Sequence, residues 1–396
     1  MKFNGYLRTD GKVGIRNHVL ILPVSICASD VARKVCKRVQ GTVTFHNHLG
    51  CSQSPFDQEC TIRTMAGLAA NPNVFGTIMI ALGCENCQLD IVKNAILDRT
   101  NKPLVCLSIQ KSGGAKNTIE EAVQEAKKMV ENAKLVPLTE HDFSKLIIGT
   151  ECGGSDPTSG LVTNVVMGKT VDSIIEEGGT TILSETTEFI GAENILAQRA
   201  LNQQVADDIL RIISRYEESQ KIVGNNIRQR NPSPGNKAGG ITTLEEKSLG
   251  CVLKSGSKKI RKVVDYAELI NENGLIIMDT PGNDSTSMMG MVAGGCQLIL
   301  FSTGRGTPMG HPIVPVIKMC GNPSTCVTFE EHIDFDVSKI LQKNENIDEA
   351  GKKLLLKMIN VINGEKTKSE SLGFYETSIV RVGKYLKNNE VYSYYY

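Results

Sequence analysis

Short apolar runs alternate with amphipathic stretches along most of this chain, and that alternation constrains the fold more tightly than any single motif. Runs at 19–26, 42–46, 76–82 and 104–108 read as strands, with helices at 29–39, 56–70, 85–99 and 117–132 between them. A strand followed by a helix returns to the same edge of its sheet, so such strands pair in parallel. After a polar stretch at 137–144 the pattern restarts, with strands at 145–149, 180–184, 274–279 and 297–302 and helices at 161–177, about 192–221 and 347–363. Residues 225–240, rich in Asn, Pro and Gly, read as a loop, and the terminal tyrosines 394–396 as a surface tail. The expected fold class is α/β, as two layered α/β domains with mostly parallel sheets over residues 1–143 and 144–396.

In open sheets of this kind ligands sit beyond the carboxyl ends of the strands, so the loops there are where chemistry is sought. Phe301–Gly310 leaves an apolar strand through Thr303, Gly304, Arg305 and Gly306. Glycines let backbone N–H groups approach a ligand, and arginine offers a planar fork for a carboxylate or phosphate. A solvated turn is the plain alternative. Gly304, Gly306 and Gly310 nearly match a dinucleotide fingerprint, but Pro308 and Pro312 forbid the helix that would hold the pyrophosphate. Gly168-Lys169-Thr170 resembles a phosphate loop but falls inside a helical pattern.

Three other strand ends carry thiols. His46 and His48, one residue apart, face one side of extended chain beside Cys51. They suit zinc or iron, or a general base near neutral pH. Cys84 and Cys87 form a C-x-x-C pair at an expected helix start, where a thiol's pKa falls, but no second pair exists at zinc-finger spacing. Cys152 precedes Gly153-Gly154-Ser155-Asp156, where Ser155 or Asp156 can equally be a helix cap. The basic loop 235–240 with Lys237, and 279–285 with Asp284, suit a polyhydroxy acid or are ordinary turns.

Composition narrows the class. At 396 residues, 40% hydrophobic and 22% charged, the chain has room for two cores. A net charge of +1 gives no field for nucleic acid or a membrane surface. No export signal or membrane-length apolar run stands out, so the twelve cysteines read as reduced thiols of a cytoplasmic protein.

The segments Gly5–Asn17, His46–Ser52, Leu82–Glu85, Cys152–Asp156, Gly235–Gly240 with Thr242–Ser248, and Ser302–Gly306, in this order, resemble the altronate/galactarate dehydratase family. A close branch resembles the large subunit of sulfolactate sulfo-lyase, which expels sulfite instead of water. The resemblance implies a metal-dependent hydro-lyase acting on a sugar acid such as altronate or galactarate and giving a 2-keto-3-deoxy acid. It implies a divalent metal, Fe2+ in the first instance and Mn2+ as an alternative, with an iron–sulfur cluster as a minority reading. Family chains begin with a small SAF-type domain, and this one starts at the Gly5 motif. A separate small SAF-domain subunit and an oligomeric assembly are therefore expected. Under this reading Arg305 binds the substrate carboxylate, and His46 or His48 is base or metal ligand. Cys51, Cys84 and Cys152 are soft metal ligands, and Ser155, Asp156, Lys237, Asp284, Thr303, Gly304 and Gly306 line the substrate. A non-catalytic subunit that binds sugar acid or metal is the competing class.

Overall fold

The computed structural model describes residues 1–222, 224–342, 345–387 and 390–395, with side chains to residue 383. Two parallel sheets carry the architecture. The first has four strands in the order Thr42–Val43, His18–Pro23, Val74–Ala81, Leu104–Ser108. The second has seven, in the order Ile260–Val264, Gly274–Met278, Thr180–Leu183, Ile147–Cys152, Leu298–Thr303, Val316–Cys320, Phe335–Asp336. The mixed α/β class with parallel sheets is thus as the sequence predicts. Both central strand sets are buried on both faces, which is why they read as continuous apolar runs.

The alternation of strand side chains builds separate layers. In Leu298–Thr303, Leu298 and Leu300 pack with helices Asn164–Glu176 and Ile347–Ile362, while Ile299 and Phe301 face the methionines of helix Asp284–Ala293. That second core also takes in Leu20, Leu22 and Met79 of the first sheet and Met65 and Leu68 of helix Pro55–Ala70. The two helices lie between the sheets and approach closely at Gly67, where a Cβ would stand 2.2 Å from the Ala293 carbonyl oxygen. Asn71 Nδ2 donates to the carbonyls of Val292 and Cys296, both at 2.8 Å, and ties the sheets at their amino ends.

Several elements differ from the sequence reading. The polar stretch taken as a boundary contains a strand, Leu138–Asp142, paired antiparallel to Lys2–Leu7. The expected long helix is two, Glu193–Gln198 and Gln203–Ile222, parted where Leu201 N–H donates to the Ile260 carbonyl. Residues 225–240 contain two short helices, Ile227–Arg230 and Pro234–Ala238. Tyr394 and Tyr395 belong to a terminal hairpin strand, and Tyr396 lies outside the described residues. Among the described residues no helix is long and apolar enough to cross a membrane.

Candidate functional site

The order of the seven-stranded sheet places the site. From Ile147–Cys152 the chain crosses to Thr180–Leu183 on one side; from Leu298–Thr303 it crosses to Val316–Cys320 on the other. These two strands are neighbours, so the loops leaving them diverge and open a crevice. The loops are cross-tied: Gly153 N–H donates to the Ser302 carbonyl at 3.1 Å, and the Gly154 carbonyl accepts from Gly304 N–H at 3.2 Å and Arg305 N–H at 2.8 Å. A cleft of about 820 Å³ lies here, lined by Cys152–Ser155, Glu185, Glu188, Lys247, Asp284 and Arg305 among others.

At its floor is a fully buried cation. Lys254, on the turn Leu253–Ser255, places its ammonium 3.2 Å from Cys152 Sγ and 3.3 Å from Cys251 Sγ, and it also donates to Glu185. The two sulfurs are 3.7 Å apart. Burial works against the charge, but the thiols, Glu185 and Glu151 around it raise the Lys254 pKa well above its ordinary value, so the ammonium persists. Pairing with Cys251, and then burial, push the Cys152 thiol up. Glu185 sits in the left-handed region at φ 71°, a conformation that costs a non-glycine residue about 1–3 kcal/mol. Three contacts hold it there: its N–H donates to Thr280 Oγ1 at 2.7 Å, and its carboxylate accepts from Cys152 N–H at 3.0 Å and from Lys254.

Beside this floor stands a set of carboxyls. Burial, then the charge of Glu185, pushes Glu151 well above the carboxylate range; its Oε2 accepts from Ser287 at 2.7 Å, while its buried Oε1 has no hydrogen-bond partner among the described residues. Burial, then Glu185 and Glu188, raise Asp284 to about 7. Asp284 reaches the floor because residue 153 is glycine: a Cβ there would lie 2.2 Å from Asp284 Oδ2. On the wall, Lys247 pairs with Glu188 at 2.8 Å. Arg305 is exposed and donates to the Gly235 carbonyl, and Asn236 Nδ2 donates to the Ser155 carbonyl at 2.9 Å, anchoring helix Pro234–Ala238 over the cleft.

Two groups of donors lie within 4.8 Å of one another: Cys152, Glu185 and Cys251, and Glu151, Glu185 and Asp284. The first already encloses the Lys254 ammonium. The second is all oxygen, includes the orphaned Glu151 Oε1 and reaches the cleft through Asp284, which suits a hard or borderline divalent cation.

Of the residues singled out from sequence, Cys152, Ser155, Asp284, Gly306 and Arg305 line this cleft. Thr303 is buried just beneath, its hydroxyl accepting from Gly306 N–H at 3.0 Å. The Gly304 carbonyl accepts from Thr325 Oγ1 at 2.7 Å. Asp156 acts as a cap, accepting from Thr158 N–H at 2.9 Å and Ser159 N–H at 3.3 Å. Lys237 is exposed and donates to the Gln229 carbonyl at 3.3 Å rather than lining the cleft. The expected convergence of three thiols is not found. Cys51 and Cys84 are exposed at the carboxyl edge of the other sheet, and Cys51 Sγ lies 3.4 Å from Asn86 Oδ1. Helix Leu89–Leu97 begins beyond Cys84, so that thiol lies off the helix start where it was expected. His46 is exposed and His48 half-buried, its pKa lowered first by burial and then by His46. Among the described residues no group of three donors includes Cys51, Cys84, His46 or His48, so Cys152 alone of the expected metal ligands joins one.

Glu185, Glu188, Lys247, Cys251 and Lys254 were not singled out. The signal for Cys251 and Lys254 was their three-residue spacing at the end of a helical stretch, which puts thiol and ammonium on one face.

The model of the family described as D-galactarate/Altronate dehydratase, C-terminal, matches residues 143–385, and that of D-galactarate dehydratase/Altronate hydrolase, second domain, matches 5–134. The chain is 34% identical over 391 residues to altronate dehydratase of Bacillus subtilis (strain 168), with 96% of this chain and 78% of that protein covered. It is 35% identical over 384 residues to (2R)-sulfolactate sulfo-lyase subunit beta of Chromohalobacter salexigens, with 96% of this chain and 97% of that one covered. To galactarate dehydratase (L-threo-forming) of Escherichia coli (strain K12) it is 32% identical over 393 residues, covering 94% of this chain and 75% of that protein.

Proposed function

The chain belongs to the D-galactarate/altronate dehydratase family, and from that premise we propose that it is a lyase that removes water from a sugar acid such as altronate or galactarate, leaving a 2-keto-3-deoxy acid. The observation that carries this reading is the cleft at the sheet's switch point, where carboxylates, a buried ammonium and an exposed guanidinium converge. Elimination next to a carboxylate needs a base for the α-proton and positive charge for the enediolate that forms. In this reading Arg305 grips the substrate carboxylate through its planar fork. Glu188, held by Lys247, is the accessible base, a role the sequence suggested for His46 or His48. The Lys254 ammonium stays charged at the floor and supplies a fixed positive field toward the reacting carbons.

Glu151, Glu185 and Asp284 would hold the divalent metal, Fe2+ or Mn2+, that the family resemblance implies. When bound there it would supply Lewis-acid stabilisation of developing negative charge. The iron–sulfur alternative loses its support, since it required Cys51 and Cys84 beside Cys152.

A second reading has one specific observation in its favour. The chain is 35% identical to a protein named (2R)-sulfolactate sulfo-lyase subunit beta. That name favours sulfite as the leaving group and a further subunit as partner, which in this reading is the small SAF-domain subunit. The chain, with its small partner and Fe2+ or Mn2+, should be offered aldonates, aldarates and sulfolactate. A keto acid from a sugar acid supports dehydration, and sulfite release selects the second reading. Tight binding of these acids with no product from any of them would make the chain a non-catalytic binding subunit.

Arg305→Lys keeps the charge and removes the fork. It should lower kcat/KM about 10- to 100-fold, the worth of one charge-assisted bidentate contact. Because Arg305 is exposed, the thermal midpoint should stay where it is. A fall in Tm matching that of a core substitution would mean the arginine is structural.

A further inference from the structure

Cys152 and Cys251 are 99 residues apart in sequence, yet their sulfurs stand 3.7 Å apart with the Lys254 ammonium 3.2 and 3.3 Å from them. Both are free thiols. Neither is sealed off: Cys152 lines the cleft, and both line a second, largely apolar groove of about 430 Å³ on the adjoining face, walled by Leu161, Leu249 and Leu253. A small uncharged oxidant can therefore reach the pair from either side.

We propose that Cys152 and Cys251 are a redox-active pair that closes to a disulfide when the protein meets a hydroperoxide. This rests on the thiol geometry and is independent of the reaction assigned to the cleft. Cys152 sulfur takes one peroxide oxygen as the O–O bond breaks. Its thiol proton leaves with the other oxygen as water, and Cys152 becomes a sulfenic acid. Cys251 sulfur then attacks the Cys152 sulfur, and the S–OH group departs with the Cys251 proton as a second water. Two electrons pass from the thiols to the peroxide. The sulfurs close from 3.7 Å to about 2.05 Å, and Lys254 loses both sulfur contacts. Two of the three donors of the Cys152, Glu185, Cys251 group are withdrawn in the same step. A resolving thiol this close also protects Cys152 from oxidation to the irreversible sulfinic acid.

The test is peptide mapping of the whole chain after graded hydrogen peroxide, with free thiols alkylated under denaturing conditions. The expected result is a linked peptide pair containing Cys152 and Cys251, an intact mass lower by two hydrogens, loss of both thiols from alkylation while Cys296 still alkylates, and return of both with dithiothreitol. Cys251→Ser should drive Cys152 to sulfinic acid that dithiothreitol does not reverse; if that variant fails to fold, the parent map decides alone. The proposal is overturned if Cys152 becomes sulfinic acid with Cys251 still free. It is equally overturned if a bridge retaining one oxygen joins Lys254 to a sulfur, or if both thiols alkylate unchanged at peroxide levels that oxidise the exposed Cys27 and Cys51.

Discussion

Lys254→Met should lower the free energy of unfolding by about 3–5 kcal/mol, the cost of stripping one partner from a buried ion pair. Methionine fills nearly the same volume, so the loss isolates charge from packing. The lysine is fully buried, and so are its partner Glu185 and the neighbouring Glu151. With the ammonium gone, Glu185 keeps the Cys152 N–H as a donor but loses its counter-charge while its side chain stays almost wholly buried. Urea denaturation checks the size. The Lys254→Met, Glu185→Gln double variant should recover part of the loss, because it leaves no unpaired carboxylate behind. A loss no larger than that from deleting the exposed Arg38–Glu120 pair would show that the buried ammonium contributes no more than a surface ion pair.

How much of this was legible in advance divides along physical lines. Strands such as Leu298–Thr303 were visible because both faces are covered and the run Leu298 to Phe301 is wholly apolar. Val316–Cys320 was missed because Lys318 interrupts it. That lysine is buried, with its ammonium donating to the carbonyls of Pro308 at 3.1 Å and Met309 at 2.9 Å, an internal role a hydropathy pattern reads as exposure. Leu138–Asp142 was missed for the opposite reason: it is an exposed edge strand with no buried face to mark it. The site was half visible. Loops with a glycine–arginine or cysteine–glycine signature announced Arg305 and Cys152, which the neighbouring strands bring together. Sequence alone could not tell that Cys51 and Cys84 end the strands of a separate sheet, so the grammar shared by three thiol loops suggested one rim where there are two. Glu185 carried no motif. Its importance comes from a left-handed backbone at a strand end and from Lys254, 69 residues away.

Asp284→Asn should weaken Mn2+ binding at neutral pH by at least about 100-fold and remove turnover with it, since the variant offers a neutral amide where a carboxylate ligand is needed. The pH dependence separates this from a general loss of structure. In the metal-free chain Asp284 holds its proton up to about 7, chiefly through burial and then through Glu185 and Glu188. A divalent cation must displace that proton, so the parent should bind more weakly as pH falls through 7, by about tenfold per unit for each proton released. The side-chain amide of the variant has no proton to give up, so its slope should be shallower by that one proton. Calorimetry in buffers of different ionisation enthalpy counts the protons directly. Stability should move the other way. A carboxyl whose folded pKa lies above its unfolded value contributes fully below the unfolded pKa, near 3.8, and loses that contribution as pH rises through about 7. The metal-free parent should therefore lose urea resistance across that window, while the Asp284→Asn variant, with nothing to ionise there, should gain relative to it. Equal proton release by parent and variant would remove Asp284 from the metal site and leave Glu151 and Glu185 without their third oxygen donor.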